Sequence, residues 1–146
     1  MANATMEKFG YPGSLVRDYE HWVVLIRPAQ VTLGSLVLAS KSDATAFGQL
    51  PDGAHAELAA VTRDIEAMLA AVVAYERINY LMLMMVDPHV HFHVFPRYEG
   101  SRSLGSLAIE DAGWPGPPDL GSGKPIDSAA SEQLRVQLAE IRSIFY

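Results

Sequence analysis

Between Pro88 and Arg97 the chain reads Pro-His-Val-His-Phe-His-Val-Phe-Pro-Arg. Imidazole and apolar residues alternate from His89 to Val94, the period-two pattern of a β-strand with two unlike faces. His89, His91 and His93 are therefore expected on one side, with Val90, Phe92 and Val94 packing on a core from the other. A row of imidazoles can titrate, accept or donate protons, attack phosphorus or bind a metal ion.

Three readings of that row compete. As structural histidines, all three would need separate polar partners to be buried without cost. Clustered titratable groups on one face favour a functional site instead. As metal ligands they are poorly spaced, because His89 and His93 lie about 13 Å apart along an extended strand. Metal–nitrogen bonds of about 2.0–2.1 Å would force three such rings into strain, although two of them could serve if another strand supplied a third ligand. His21 and His55 sit in unrelated contexts, and there is no cysteine. The third reading lays an extended phosphate chain along the row, with one imidazole attacking and its neighbours donating hydrogen bonds.

The stretch His89-Val-His91-Phe-His93-Val-Phe95, followed by Pro96-Arg97, resembles the His-x-His-x-His-x-x signature of the histidine triad superfamily of nucleotide hydrolases and transferases. The resemblance extends upstream to about Trp22. It implies an α+β fold, an antiparallel meander sheet with one long helix between strands and a C-terminal helix. It implies a nucleotidyl hydrolase of dinucleoside polyphosphates or nucleoside phosphoramidates, working without a cofactor and usually as a homodimer. His91 would be the nucleophile that forms a covalent nucleotidyl-imidazole intermediate. His93 would donate to phosphate oxygens, and His89 would order the site around His91. Arg27, Ser35, Leu25 and Val37, from the two preceding strands, would contact the substrate.

Two departures bear on the substrate. Where such hydrolases commonly carry a glutamine four residues before the first histidine, or a serine three before it, this chain has Met85 and Val86. Where some members place an asparagine against the ribose, the ungapped reading finds Arg27. An arginine beside a polyphosphate compensates electrostatically. A catalytically weak nucleotide-binding module, and a metal-dependent hydrolase using the same row, stand as alternative readings.

Composition limits the rest. At 146 residues the chain is expected to form one domain with a full core. Residues 1–100 would form the catalytic part, and 101–146 a Gly/Pro-rich extension ending in a helix of the same domain. A net charge of −6 argues against non-specific nucleic-acid binding, so a phosphate site must be built from local donors. The N-terminus lacks the apolar core of a signal peptide, and the longest apolar run is too short to span a bilayer. A cytoplasmic protein with a small-molecule nucleotide partner is the expectation.

The elements that must position the row follow from periodicity. Residues 1–13 end in a turn signal and are expected to be poorly ordered alone. Leu15 to Tyr19 reads as a short strand, and Trp22 to Arg27 as a buried strand. Gly34 to Ser40 closes an antiparallel hairpin across a loop of about five to seven residues. Asp52 is expected to cap a long helix from Gly53 to about Glu76, with Leu58, Val61, Ile65, Met68, Leu69 and Val72 on its buried stripe. Tyr80-Leu-Met-Leu-Met-Met-Val86, apolar on both faces, reads as part of a central strand 78–86 joined tightly to strand 89–96. Trp114 is expected to anchor a proline-rich loop. The Gly-Ser-Gly-Lys124 segment does not qualify as a phosphate loop, since Pro118 and Pro125 occupy the positions of the first glycine and of the Ser/Thr. Asp127 or Ser128 caps a last helix carrying Leu134, Val136, Leu138, Ile141, Ile144 and Phe145 inward.

Overall fold

The computed structural model describes residues 2–142. A five-stranded antiparallel sheet is built from β1 (Leu15–Asp18), β2 (Trp22–Ile26), β4 (Leu36–Ser40), β5 (Arg77–Leu81) and β6 (His91–Arg97), in the order β1-β2-β4-β6-β5. Two small ladders flank it, β3 (Ala29–Gln30) with β9 (Lys124–Pro125), and β7 (Ser101–Leu104) with β8 (Leu107–Glu110). The helices are α1 (Ala4–Lys8), α2 (Asp52–Val73) and α3 (Ser128–Ala139).

Pleating assigns each side chain to a face. Trp22, Val24, Ile26, Leu36, Leu38 and Val94 form one buried face, packed with Val61, Ile65, Met68 and Leu69 of α2 in a single cluster. Leu134 and Leu138 of α3 belong to the same cluster, so the C-terminal extension shares the central core. The indole N–H of Trp22 donates to the Ala54 carbonyl at 2.8 Å and fastens the sheet to the first turn of α2. That helix starts at Asp52, after Pro51, and makes no side-chain cap. The capping role expected of Asp52 is therefore not used, because Asp52 is already the first helical residue. Ala74 ends the helix in a left-handed conformation, three residues earlier than the periodicity suggests.

The loop between β2 and β4 spans residues 27–35 and is longer than expected, because it carries β3. A buried glutamine knots it. Gln30 Nε2 donates to the Arg27 and Ser35 carbonyls, while its Oε1 accepts from the Gly34 and Ser35 amides. Gly34 has φ +89°, and a Cβ there would come within 2.9 Å of Leu69 and Val73. Only glycine fits this turn against α2.

Two segments depart from the sequence reading. The N-terminal arm is ordered: Asn3 caps α1 by accepting from the Met6 amide at 2.9 Å and donates to the Ser40 carbonyl. Met6 and Phe9 are buried against Val23, Leu25, Val37 and Ala39 on the second face of the sheet. A short helix that cannot hold itself is held by apolar cover. The methionine run, in turn, is not a central strand. β5 ends at Leu81 and is a sheet edge, and residues 82–90 form a loop into β6. Met82 and Met84 pack partly on the core, whereas Leu83, Met85 and Val86 face outward. Hydrophobicity persists there without a second ladder to pair with. Ile144 and Phe145 lie outside the described residues.

Candidate active site

β6 pairs with β4 on one side, Ala39 opposite His91 and Val37 opposite His93, and with β5 on the other, Leu81 opposite His93 and Asn79 opposite Phe95. His91, His93, Phe95 and Arg97 consequently share the second sheet face with Leu25 and Val37. His91 is buried at 1% exposure and His93 at 9%. Their rings stand 5.1 Å apart, nearly perpendicular. Phe9 of the N-terminal arm covers both, with ring centroids 5.7 Å from His91 and 5.6 Å from His93.

His89 is not on this strand. It precedes β6 in the loop, and its ring Nδ1 lies 3.1 Å from the Asp43 carbonyl oxygen. Its main chain takes the orienting role instead, because the His89 carbonyl oxygen lies 2.7 Å from Nδ1 of His91. A carbonyl only accepts, so Nδ1 carries the hydrogen and the Nε2 of the neutral ring keeps a lone pair. Among the described residues, this buried Nε2 has no hydrogen-bond partner. An unpartnered, correctly tautomerised imidazole nitrogen is what a nucleophile requires.

His93 is set in the opposite sense. Arg27 Nε donates to His93 Nδ1 at 3.3 Å, leaving the ring hydrogen on Nε2 as a donor. Burial, then the Arg27 charge, then His91 push its pKa from 6.5 down to about 4. His93 is therefore a neutral hydrogen-bond donor at neutral pH. Arg27 itself donates through Nη1 to the Ala29 carbonyl and lies over the Phe95 ring at 5.5 Å. Burial lowers its pKa as well. Among the described residues no carboxylate pairs with it, so a guanidinium charge stands uncompensated beside the imidazoles in an acidic protein.

Of the residues named from sequence, the structure thus brings together His91, His93, Arg27, Leu25 and Val37. Ser35 does not join them: its hydroxyl donates to the Thr32 carbonyl at 2.7 Å and accepts from the Thr32 amide at 3.0 Å. Leu25 and Val37 are floor residues under Met6 and Phe9. Phe9 is the residue that the sequence reading missed. Its signal was an asparagine cap and a short apolar pair, Met6 and Phe9, in an arm read as unstructured. No group of three or more His, Cys, Asp or Glu side chains suited to a metal ion occurs among the described residues.

A cleft of about 480 Å³ opens near the far end of β6, lined by Arg77, Asn79, Arg97, Trp114, Gly116 and Pro117 among others. Arg97 is held there by Asp111 through Nε and Nη2, at 2.8 and 3.0 Å. The cleft's walls include none of the histidines.

No family model matches the chain, and a search of curated proteins finds no match. Solved structures do match. A histidine triad protein from Sinorhizobium meliloti superposes with a TM-score of 0.76 at 20% identity, over 97% of this chain and 96% of that one. One from Bradyrhizobium japonicum gives 0.72 at 17% identity, over 97% and 96%. A hypothetical histidine triad nucleotide-binding protein from Sulfolobus tokodaii gives 0.71 at 19%, over 93% and 87%. The chain has the histidine triad fold.

Proposed function

We propose that this chain is a histidine triad nucleotidyl hydrolase acting through a covalent intermediate on His91. The observation that carries the reading is the state of that ring: Nδ1 held against the His89 carbonyl, Nε2 buried, free and beside a neutral donor. The Nε2 lone pair attacks the α-phosphorus of a nucleotide derivative. A P–N bond forms as the bond from phosphorus to the leaving group breaks; a leaving amine departs with a proton taken from solvent, whereas a leaving phosphate departs as the anion. Water then cleaves the P–N bond, yielding a nucleoside monophosphate and the free imidazole. Splitting one displacement into two lowers each barrier. His93 Nε2–H donates to a non-bridging oxygen, and Arg27 offsets the charge that gathers there.

Met85 and Val86 are 82% and 84% exposed and offer no polar side chain to a bridging oxygen. This, with the Phe9 cover, favours as second reading a nucleotide-binding module of low turnover. Purified protein given adenosine 5′-phosphoramidate and a dinucleoside tetraphosphate separates the two. Release of AMP, with alkali-stable, acid-labile label from the α-phosphorus mapping to the peptide containing His91, supports the hydrolase. Binding without release supports the module. We propose further that the protein is a homodimer using α2 and a sheet edge, testable by light scattering.

A further inference from the structure

The cleft at the far end of β6 lies outside the histidine site and has a chemistry of its own. Register sets Arg77 of β5 directly opposite Arg97 of β6, and Asn79 opposite Phe95, so Arg77, Asn79 and Arg97 share one sheet face. Like charges directly opposite each other on a sheet are destabilising unless something offsets them. For Arg97 something does. Asp111 accepts from its Nε and Nη2, the Gly116 carbonyl accepts from Nη2 at 2.9 Å, and Asn79 Oδ1 accepts from Nη1 at 2.8 Å. The Asp111 carboxylate has little left to give, because it also accepts from the Tyr98 and Gly113 amides.

Arg77 has no such partner. It is exposed and donates only to main chain, the Glu76 carbonyl at 2.9 Å. The Glu76 carboxylate is engaged elsewhere, with the Glu99 amide at 3.0 Å and Arg102 at 3.6 Å. The residues lining the cleft include two arginines and no carboxylate, in a protein of net charge −6. Two further donors of lining residues are free. Arg97 holds Asn79 by its oxygen, which leaves the Nδ2 hydrogens without an acceptor among the described residues. The indole N–H of half-buried Trp114 likewise has none among them. Pro115 and Pro117 complete the wall with no N–H of their own. The loop that carries them is closely packed: a Cβ on Gly113 would stand 2.3 Å from the Pro117 carbonyl oxygen.

We infer that this cleft is a second binding site, for a small organic anion. Its carboxylate or phosphate head meets Arg77 and the Asn79 amide, and its flat body packs on Trp114 and the prolines. The volume of about 480 Å³ suits a small molecule, whose sites run from about 300 to 1,000 Å³. A guanidinium fork matches two oxygens of either head, and an indole offers a large apolar face with one polar handle. The site stands apart from the proposed hydrolase, and binding there needs no turnover.

The test titrates the intact, isotope-labelled protein with phenyl phosphate and, separately, with benzoate, and follows the indole N–H resonances by NMR. The chain has two tryptophans. Trp22 donates to the Ala54 carbonyl inside the core and serves as internal control, and Trp114→Phe assigns the other signal. Saturable movement of the Trp114 signal alone supports the site, provided that affinity falls about tenfold in Arg77→Gln, the loss of one charge-assisted contact, and further in Arg77→Glu. The probe that binds more tightly then names the head group. Failure of both probes to move the Trp114 signal overturns the inference. So does equal affinity in Arg77→Gln, or equal binding of uncharged benzyl alcohol. A wild-type dimer that Arg77→Gln converts to monomer, with neither probe bound, also overturns it, because a second copy then fills the cleft. None of these readouts involves release of AMP, so this inference and the hydrolase fail or stand separately.

Discussion

Nδ1 of His91 lies 2.7 Å from the main-chain carbonyl oxygen of His89, whereas the His89 ring turns away to the Asp43 carbonyl. Backbone, not imidazole, sets the tautomer of the candidate nucleophile. The two substitutions His89→Ala and His91→Ala should therefore diverge. The first is expected to keep turnover within a few-fold, since its carbonyl remains. The second should abolish it while nucleotide binding persists. Steady-state kinetics with a labelled adenylate, alongside equilibrium binding, reads both; comparable losses in the two variants would give the His89 ring a chemical role.

On the proposed mechanism, His93→Ala removes the donor to the reacting phosphate. A single oxyanion-type donor is worth about 10²–10³ in rate, and kcat should fall by that order. His93→Gln, which keeps an N–H, should recover part of it.

The protonation of His93 gives a pH signature. Its folded pKa, about 4, lies below the ordinary 6.5, so between those values the unfolded chain binds the extra proton. Stability from this group is complete above pH 6.5 and is lost as pH falls towards 4. Burial is the larger cause and Arg27 the next. Arg27→Gln should raise the His93 pKa part of the way back to 6.5, read by NMR titration of the ring. A ring titrating near 6.5 in the wild type would contradict the buried, Arg27-bound arrangement.

Phe9 is the cover of both imidazoles. Phe9→Ala should destabilise the fold by about 3 kcal/mol, as for a large aromatic cut from an interior, and raise the His93 pKa by admitting water. Denaturant unfolding and the same NMR titration measure the two effects. An unchanged midpoint would mean that the arm does not dock in solution.

Arg97 and Asp111 have side chains only 3% and 1% exposed, and Arg97 also donates to Asn79 and the Gly116 carbonyl. Asp111→Ala leaves a buried cation unpaired, which costs about 3–5 kcal/mol. Denaturant unfolding should register that loss, and proteolysis should cut more readily within residues 101–125.

The pair His91 and His93, the strands at Trp22 and Leu36, the long helix and the cap at Asp127 were legible in the sequence because each rests on local periodicity or local hydrogen bonding. A strand's alternation puts His91 and His93 on one face whatever surrounds it, and the fold class follows from the order of elements. Where the chain's own pattern was ambiguous, long-range partners decided. The methionine run is as apolar as a central strand, but only a neighbouring ladder makes one, and beyond Leu81 none is within reach. Met6 and Phe9 cover the second face of the sheet, Phe9 lying over the histidines, because that face needed apolar cover, a demand that no window of local sequence records. His89 left the row because β6 begins two residues later, and Ser35 left the site because Thr32 and Gln30 claimed the turn. Lys124 lies far from Gln30 in sequence, and the β3–β9 pairing alone brings the two together.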